Sequence, residues 1–233
     1  MKIKILTLFP QMFESVLSTS ILKRAQENNK LEVELINIRD FAFNKHQQVD
    51  DYPFGGGAGM LMMIEPVVEA LKANKTVKSK TILLSAQGKT FSQDKAVELS
   101  TEKELILICG HYEGIDARIL NYIDEELSIG DYILTGGEIA AMVVIDSLTR
   151  LQDKVISPKS LFNESFNDYL LEAPQYTRPL EFAGKKVPDV LVSGNHQKIK
   201  EWLLKESQEI TKVKRPDLYK KYQKEKRDKD VDK

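Results

Sequence analysis

Residues 127–138 read Leu-Ser-Ile-Gly-Asp-Tyr-Ile-Leu-Thr-Gly-Gly-Glu. The apolar spacing is that of a strand, yet glycines at 130, 136 and 137 interrupt it, and the run passes straight into an apolar, helix-like segment from Ile139 to Leu148. One reading of Gly136-Gly137 is a plain strand-to-helix turn. The other is a ligand site. Glycine exposes backbone between Ile, Tyr and Leu, so N–H and C=O groups can read the edge of a flat heteroaromatic ligand while aliphatic side chains cover its face.

Upstream of this stretch, strand-like apolar runs recur at Ile3–Phe9, Leu31–Ile38, Thr81–Ala86 and Leu105–Gly110. Helix-like segments lie between them at Met12–Asn28, Pro66–Lys72 and Gln93–Leu99, with Ser92 placed to cap the last. Strands alternating with helices predict an α/β domain with a mostly parallel sheet. The alternation stops after Arg150. Ser157 to Tyr176 is polar, aromatic and irregular, as a linker or lid would be, although Phe166, Tyr169, Leu170 and Leu171 give it apolar mass to dock with. From His196 onward, Ile199, Trp202, Leu203 and Ile210 recur at helical spacing and predict a helical C-terminal domain.

The 233 residues, 42% hydrophobic and 30% charged, suffice for one large or two small domains with a substantial core. No apolar run approaches the roughly 20 residues needed to span a bilayer. The first residues, Met1 to Leu6, enter a strand-like alternation without a leader-like apolar region, and cytosolic residence is the expectation. A single cysteine, Cys109, excludes an intramolecular disulfide and a cysteine-based zinc site and fits a small core residue. The net charge of −1 hides an asymmetry, because Lys212–Lys233 carries ten basic against five acidic residues. With Tyr219 and Tyr222 interleaved, that tail suits contact with a phosphate backbone; a solvated terminal helix is the alternative.

Two motifs resemble nucleotide loops and fail. Gly88-Lys89-Thr90 could end a phosphate-binding loop, but the glycine required five residues earlier is Leu83. Gly55-Gly56-Gly57-Ala58-Gly59 follows Asp50-Asp51-Tyr52-Pro53 instead of a strand, and reads as a loop closing over a large polar ligand or as a flexible connection. Cys109-Gly110-His111-Tyr112-Glu113-Gly114-Ile115-Asp116 follows a buried-looking strand, where open α/β sheets place ligands. His111 lacks a nucleophile partner, and His46 and His196 are far off in sequence, so no metal cluster is expected.

Taken together and in order, Val49-Asp50-Asp51-Tyr52-Pro53-Phe54-Gly55-Gly56-Gly57-Ala58-Gly59-Met60, Gly110–Asp116, Ser128-Ile129-Gly130-Asp131-Tyr132, Gly136-Gly137-Glu138, Tyr176-Thr177-Arg178-Pro179 and Val192-Ser193-Gly194-Asn195-His196 are distinctive. The chain closely resembles the bacterial tRNA (guanine-37-N1)-methyltransferase (TrmD) family of the SPOUT superfamily, from Met1 to about Tyr219. The resemblance implies an α/β domain over 1–160 whose mostly parallel sheet carries a deep trefoil knot. A linker or lid over 161–175 and a small helical, tRNA-binding domain over 176–233 would follow. It implies S-adenosyl-L-methionine bound in the knot, with magnesium as a further ion, tRNA as substrate, a homodimer sharing each active site between subunits, no membrane association, and a cytoplasmic enzyme.

By motif position, the resemblance places Leu84, Ser85 and Ala86, then Gly110, Tyr112, Glu113 and Gly114, in the cofactor pocket. It adds Ser128, Ile129, Gly130, Asp131, Tyr132, Ile133, Leu134, Gly136 and Gly137. Glu164 stands at the position of the base that removes the guanine N1 proton, and Arg150 at that of the arginine that stabilises charge growing toward O6. The family most often has aspartate where this chain has Glu164, so Glu172, eight residues on, stays an alternative base. Ala86 replaces a frequent proline and His111 an often basic arginine. A non-catalytic RNA-binding protein is disfavoured by the retained Glu164, Arg150 and pocket. A SPOUT enzyme for another RNA position, such as a ribose methyltransferase, is disfavoured by the Gly55–Gly59 loop and the Tyr176–Pro179 motif.

Overall fold

A computed structural model describes residues 1–162 and 164–231; Asn163 of the expected linker, and Asp232 and Lys233 of the basic tail, lie outside the described residues. The chain divides into two compact units, Met1–Ile156 and Ser157–Lys233.

In the first unit, strands β1 (Lys2–Thr7) and β2 (Glu32–Asn37) enclose the short helices α1 (Glu14–Leu17) and α2 (Ser20–Glu27). The antiparallel pair β3 (Asp50–Asp51) and β4 (Leu61–Met62) brackets the glycine-rich loop. Then come α3 (Ile64–Asn74), β5 (Ser79–Thr90), α4 (Gln93–Ser100), β6 (Glu104–Cys109), β7 (Glu125–Ser128) and α5 (Glu138–Thr149). Among the described residues, five strands form one parallel sheet in the order β2-β1-β6-β5-β7. The mostly parallel α/β reading is therefore correct.

The central strands carry apolar residues on both faces because both are covered, as parallel sheets require. Ile3, Ile5, Ile82, Leu84, Leu105 and Leu107 pack against α2, α4 and α5. Leu6, Leu83, Ile106 and Ile108 pack against Val67 and Leu71 of α3 and against Ile38 and Ile119. Each such side chain contributes roughly 1.5–3 kcal/mol on burial. Lys4 is a buried charged exception in β1; its ammonium donates to the Asn74 carbonyl at 2.5 Å and lies 3.6 Å from Glu104.

Two expectations change. Met12–Asn28 is not one helix: it begins as a 3-10 turn, Pro10–Phe13, and breaks between α1 and α2. The Thr19 hydroxyl takes the Ser15 carbonyl at 2.8 Å, and Ser20 stands at φ 50°. Local hydroxyl bonds here compete with helix continuation. Of Leu127–Glu138, only Leu127 and Ser128 are strand; Gly130, at φ 145°, turns the chain into a loop that lasts until α5. Ser92 does cap α4, its hydroxyl accepting the Lys95 N–H at 3.3 Å.

β5 runs beyond the expected Thr81–Ala86. It pairs Leu84 with Leu127, leaves the ladder, and returns to pair Lys89 with that same Leu127. Gly88 sits at the return. A Cβ there would lie 2.4 Å from the Leu127 amide nitrogen and 2.5 Å from the Glu126 carbonyl carbon.

In the second unit, α6 (Pro158–Phe162) precedes a folded loop in which the Phe166 N–H donates to the Leu170 carbonyl at 2.7 Å. Leu170 and Ala173 are buried, and the Leu171 N–H donates to the Thr211 hydroxyl at 2.8 Å. A hairpin of β8 (Glu181–Phe182) and β9 (Lys185–Lys186) turns through Ala183 and Gly184, both at positive φ as a type I′ turn requires. α7 (Asp189–Val192) leads to α8 (His196–Lys214), capped by the Asn195 side chain accepting the Lys198 N–H at 3.1 Å. The basic tail forms α9 (Pro216–Val231), anchored by buried Leu218 and by a Gln208–Tyr222 hydrogen bond of 2.9 Å.

Replacing Gly88 with Ala should cost about 1–3 kcal/mol by overpacking against rigid backbone. Urea unfolding measures this; unchanged stability would show that the β5 return has room to shift.

Candidate functional site

The carboxyl ends of β5, β6 and β7 open onto a cavity of about 460 Å³, within the range that holds a drug-sized molecule. Its walls are the part of β5 from Leu83 to Gln87, where the strand leaves the ladder, the turn after β6 from Gly110 to Ile115, and the segment from Glu126 to Gly137 apart from Asp131. Ala117, Ile119, Leu120 and Ala140 complete it.

Each wall has a local cause. After β6, Tyr112 at φ 57° and Gly114 at φ 125° fold the turn tightly, and the Gly114 N–H donates to the His111 carbonyl at 3.1 Å. The end of the glycine-rich loop grips this turn. The Glu113 N–H donates to the Met60 carbonyl at 3.0 Å, and the Met62 N–H to the Gly114 carbonyl at 2.9 Å. Gly59, at φ 86°, has no space for a Cβ, which would meet the Glu113 side chain at 2.5 Å.

After β7, the Ser128 hydroxyl accepts the Gly130 N–H at 3.2 Å and donates to the Gly130 carbonyl at 3.1 Å, locking the bend. At the third wall the Gly137 N–H donates to the Gly110 carbonyl at 2.8 Å, and a Cβ on Gly137 would lie 2.8 Å from the Cys109 Cα. Only glycine lets the start of α5 come this close to the end of β6. Gly136-Gly137 is therefore both the turn into a helix and the floor of a cavity.

Behind that floor is a buried carboxylate. Glu138 is 1% exposed in the first turn of α5, where the helix dipole favours negative charge, and accepts the Thr7 hydroxyl at 2.8 Å. His111 lines the cavity; its Nδ1 lies 3.7 Å from the other Glu138 oxygen, and its ring packs on Phe9 and Tyr112. Cys109 is fully buried, and burial, then the Glu138 charge, pushes its thiol well above the usual range.

The structure brings together every residue expected to hold the cofactor except Asp131, which is exposed and outside the lining. Leu83, Gln87, His111, Ile115, Leu127 and Thr135 also line the cavity and were missed as site residues. For His111, its place between Gly110 and Tyr112 is a usable signal; for Leu83 and Leu127, strand burial masks it. Arg150 does not line the cavity; it follows α5, half-buried, its N–H donating to the Asp146 carbonyl at 3.2 Å. Glu164 and Glu172 belong to the second unit. Glu164 is half-buried and its carbonyl accepts the Asn167 N–H at 3.3 Å. The Glu172 N–H donates to the Ser165 hydroxyl at 3.0 Å, and its carboxylate accepts from Gln175. Among the described residues no group of three His, Cys, Asp or Glu side chains converges as a metal centre would need. No helix among them is long and apolar enough to cross a membrane.

The family model described as tRNA (Guanine-1)-methyltransferase TrmD matches residues 1–221. Among relatives, a tRNA (guanine-N(1)-)-methyltransferase of Clostridium perfringens is 56% identical over 98% of this chain and 97% of its own length. One from Caldanaerobacter subterraneus subsp. tengcongensis is 59% identical over 93% and 91%. A third, from Mesomycoplasma hyopneumoniae, is 53% identical over 95% and 97%.

Cys109 should resist alkylation by iodoacetamide at pH 8 in the native protein, because its raised thiol stays protonated and enclosed, and should react fully in urea. Mass spectrometry reads the adduct; rapid native labelling would show that the cavity floor opens.

Proposed function

The chain belongs to the tRNA (guanine-1)-methyltransferase TrmD family, and we propose that its cavity binds S-adenosyl-L-methionine for methylation of guanine 37, the base 3′ of the anticodon. The protein is an enzyme that transfers a methyl group to N1 of guanine in tRNA. The observation that carries the cofactor reading is the convergence of Leu84–Ala86, Gly110–Gly114, Ser128–Gly130, Tyr132–Leu134 and Gly136-Gly137 on one cavity. Its lining suits the donor. Leu84, Ile129, Ile133 and Leu134 are aliphatic covers for adenine, and the glycine-rich turns expose backbone to its edge.

When bound, S-adenosyl-L-methionine supplies a methyl group on a sulfonium that departs as a neutral thioether. The protein supplies the rest. A carboxylate, Glu164 with Glu172 as the alternative, takes the N1 proton as N1 bonds to the methyl carbon, and the Arg150 guanidinium stabilises negative charge moving toward O6. In this reading the two groups meet at a site shared between the subunits of a homodimer. Ile139 and Val143, half-exposed and four residues apart on α5, offer an apolar strip for the partner. A trefoil knot in the sheet of the first unit is part of this reading, as membership of the family implies. Magnesium is a further ion in this reading; among the described residues no group of three His, Cys, Asp or Glu side chains forms a dedicated site for it. The cytoplasm, where tRNA is used, is the proposed location.

The tail helix α9, with Lys220, Lys221, Lys224, Lys226 and Arg227, is proposed to contact tRNA phosphates together with the rest of 176–233.

Three outcomes are expected. In single-turnover assays Glu164→Gln should slow methyl transfer by roughly 10²–10⁴-fold with cofactor binding intact. A normal rate would move the base to Glu172, and mass-spectrometric mapping should find methyl-guanine only in transcripts with guanine at position 37. Lys220→Ala with Lys224→Ala should weaken tRNA binding and reduce the slope of log affinity against log salt by about 1–2; an unchanged slope would leave α9 a purely structural helix.

A further inference from the structure

The buried Glu138 carboxylate takes no part in the reaction just described, yet it closes a ring of contacts behind the cavity. The Thr7 hydroxyl at the end of β1 accepts the Phe9 N–H at 2.9 Å and donates to one Glu138 oxygen at 2.8 Å. The other Glu138 oxygen faces the His111 Nδ1 at 3.7 Å, and the His111 ring returns to Phe9 at 4.7 Å between centroids. His111 Nδ1 is buried and makes no hydrogen bond among the described residues. Gly136 completes the enclosure, since a Cβ on it would strike Glu138 Oε2 at 2.4 Å and His111 Nδ1 at 2.5 Å.

Of these groups, His111 and Gly136 line the cavity, whereas Thr7 and Glu138 do not. A carboxylate removed from water is costly unless hydrogen-bonded, so its retention here needs a return. The ring joins three separate parts of the chain: the end of β1, the turn after β6 and the start of α5. Two of those carry cavity walls.

We propose that Glu138 is a positioning residue for methyl transfer: held by Thr7 and facing His111, it clamps the Gly110–Gly114 turn to Gly136-Gly137 and so sets the shape of the donor's pocket. A bound ligand pressing on His111 has about 0.5–1 Å to close before Nδ1 and the carboxylate reach hydrogen-bond distance. Ligand binding and the strut therefore reinforce each other. This rests on the cavity being the S-adenosylmethionine site.

The test uses Thr7, because it is fully buried and outside the cavity, so any effect on ligand must pass through the ring, by Glu138 or by Phe9 and His111. Glu138→Gln, which leaves the Phe9–Thr7 bond in place, separates the two routes. Thr7→Val removes the hydroxyl at nearly constant volume, and Thr7→Ser restores it. Calorimetry should show Thr7→Val weakening S-adenosylmethionine binding roughly tenfold, the worth of one lost hydrogen bond. KM for tRNA should stay within about twofold, and Thr7→Ser should recover the wild-type dissociation constant. A folded Thr7→Val with wild-type affinity, or a Thr7→Ser as weak as Thr7→Val, overturns the proposal. Should Thr7→Val fail to fold, Glu138→Gln, which keeps an acceptor for Thr7 but removes the charge facing His111, gives the same reading. Wild-type protein that binds no S-adenosylmethionine would instead overturn the assignment of the cavity.

Discussion

Leu127 is paired twice by the same strand. β5 meets it at Leu84, departs, and meets it again at Lys89, so one short piece of β7 backbone anchors both the sheet and the excursion that leaves it. The residues in between, Ser85 to Gly88, can only go outward, and Ser85, Ala86 and Gln87 become a wall of the cavity. Because Gly88 allows no side chain against Leu127, the return is fixed to within the width of a methyl group. The cavity opens at the carboxyl ends of parallel strands, as ligand sites in such sheets do. Its particular form follows from this doubled pairing.

The same economy of space governs the other walls. At Gly59, Gly88, Gly136 and Gly137 an added Cβ would come within 3.0 Å of a neighbour. At Gly88 and Gly137 that neighbour is backbone, and at Gly59 and Gly136 it is the side chains of Glu113, Glu138 and His111. Flexibility is a poor description of these glycines; they are contact points in a crowded frame.

Much of this was legible. The strands announce themselves because a sheet covered on both faces needs near-continuous apolar runs, and Ile3–Leu6, broken only by Lys4, and Leu105–Cys109 are such runs. Ser92 marks its helix start through local side-chain chemistry, whereas the cap of α8 at Asn195 emerges only in the structure. The β5 excursion was not legible, since Ser85-Ala86-Gln87-Gly88 has no hydropathy that separates a detour from a strand end. Nor was the break at Thr19–Ser20, where short-range hydroxyl bonds override a helical pattern. The Thr7–Glu138 bond joins residues 131 apart in sequence, and nothing local in either announces the other. Roles for Glu164 and Arg150 came only through family resemblance; spacing alone marks neither as catalytic.

The glycine-rich loop ends in Met60 and Met62, whose backbone is hydrogen-bonded to Glu113, Gly114 and Asp116 of the cavity turn. Loop and pocket thus share a line of backbone hydrogen bonds. By thermodynamic linkage, a molecule that reorders residues 52–59 changes the affinity of the cavity by the same factor as the cavity's occupant changes affinity at the loop. An occupant of the cavity and one at the loop would then be coupled through three backbone hydrogen bonds.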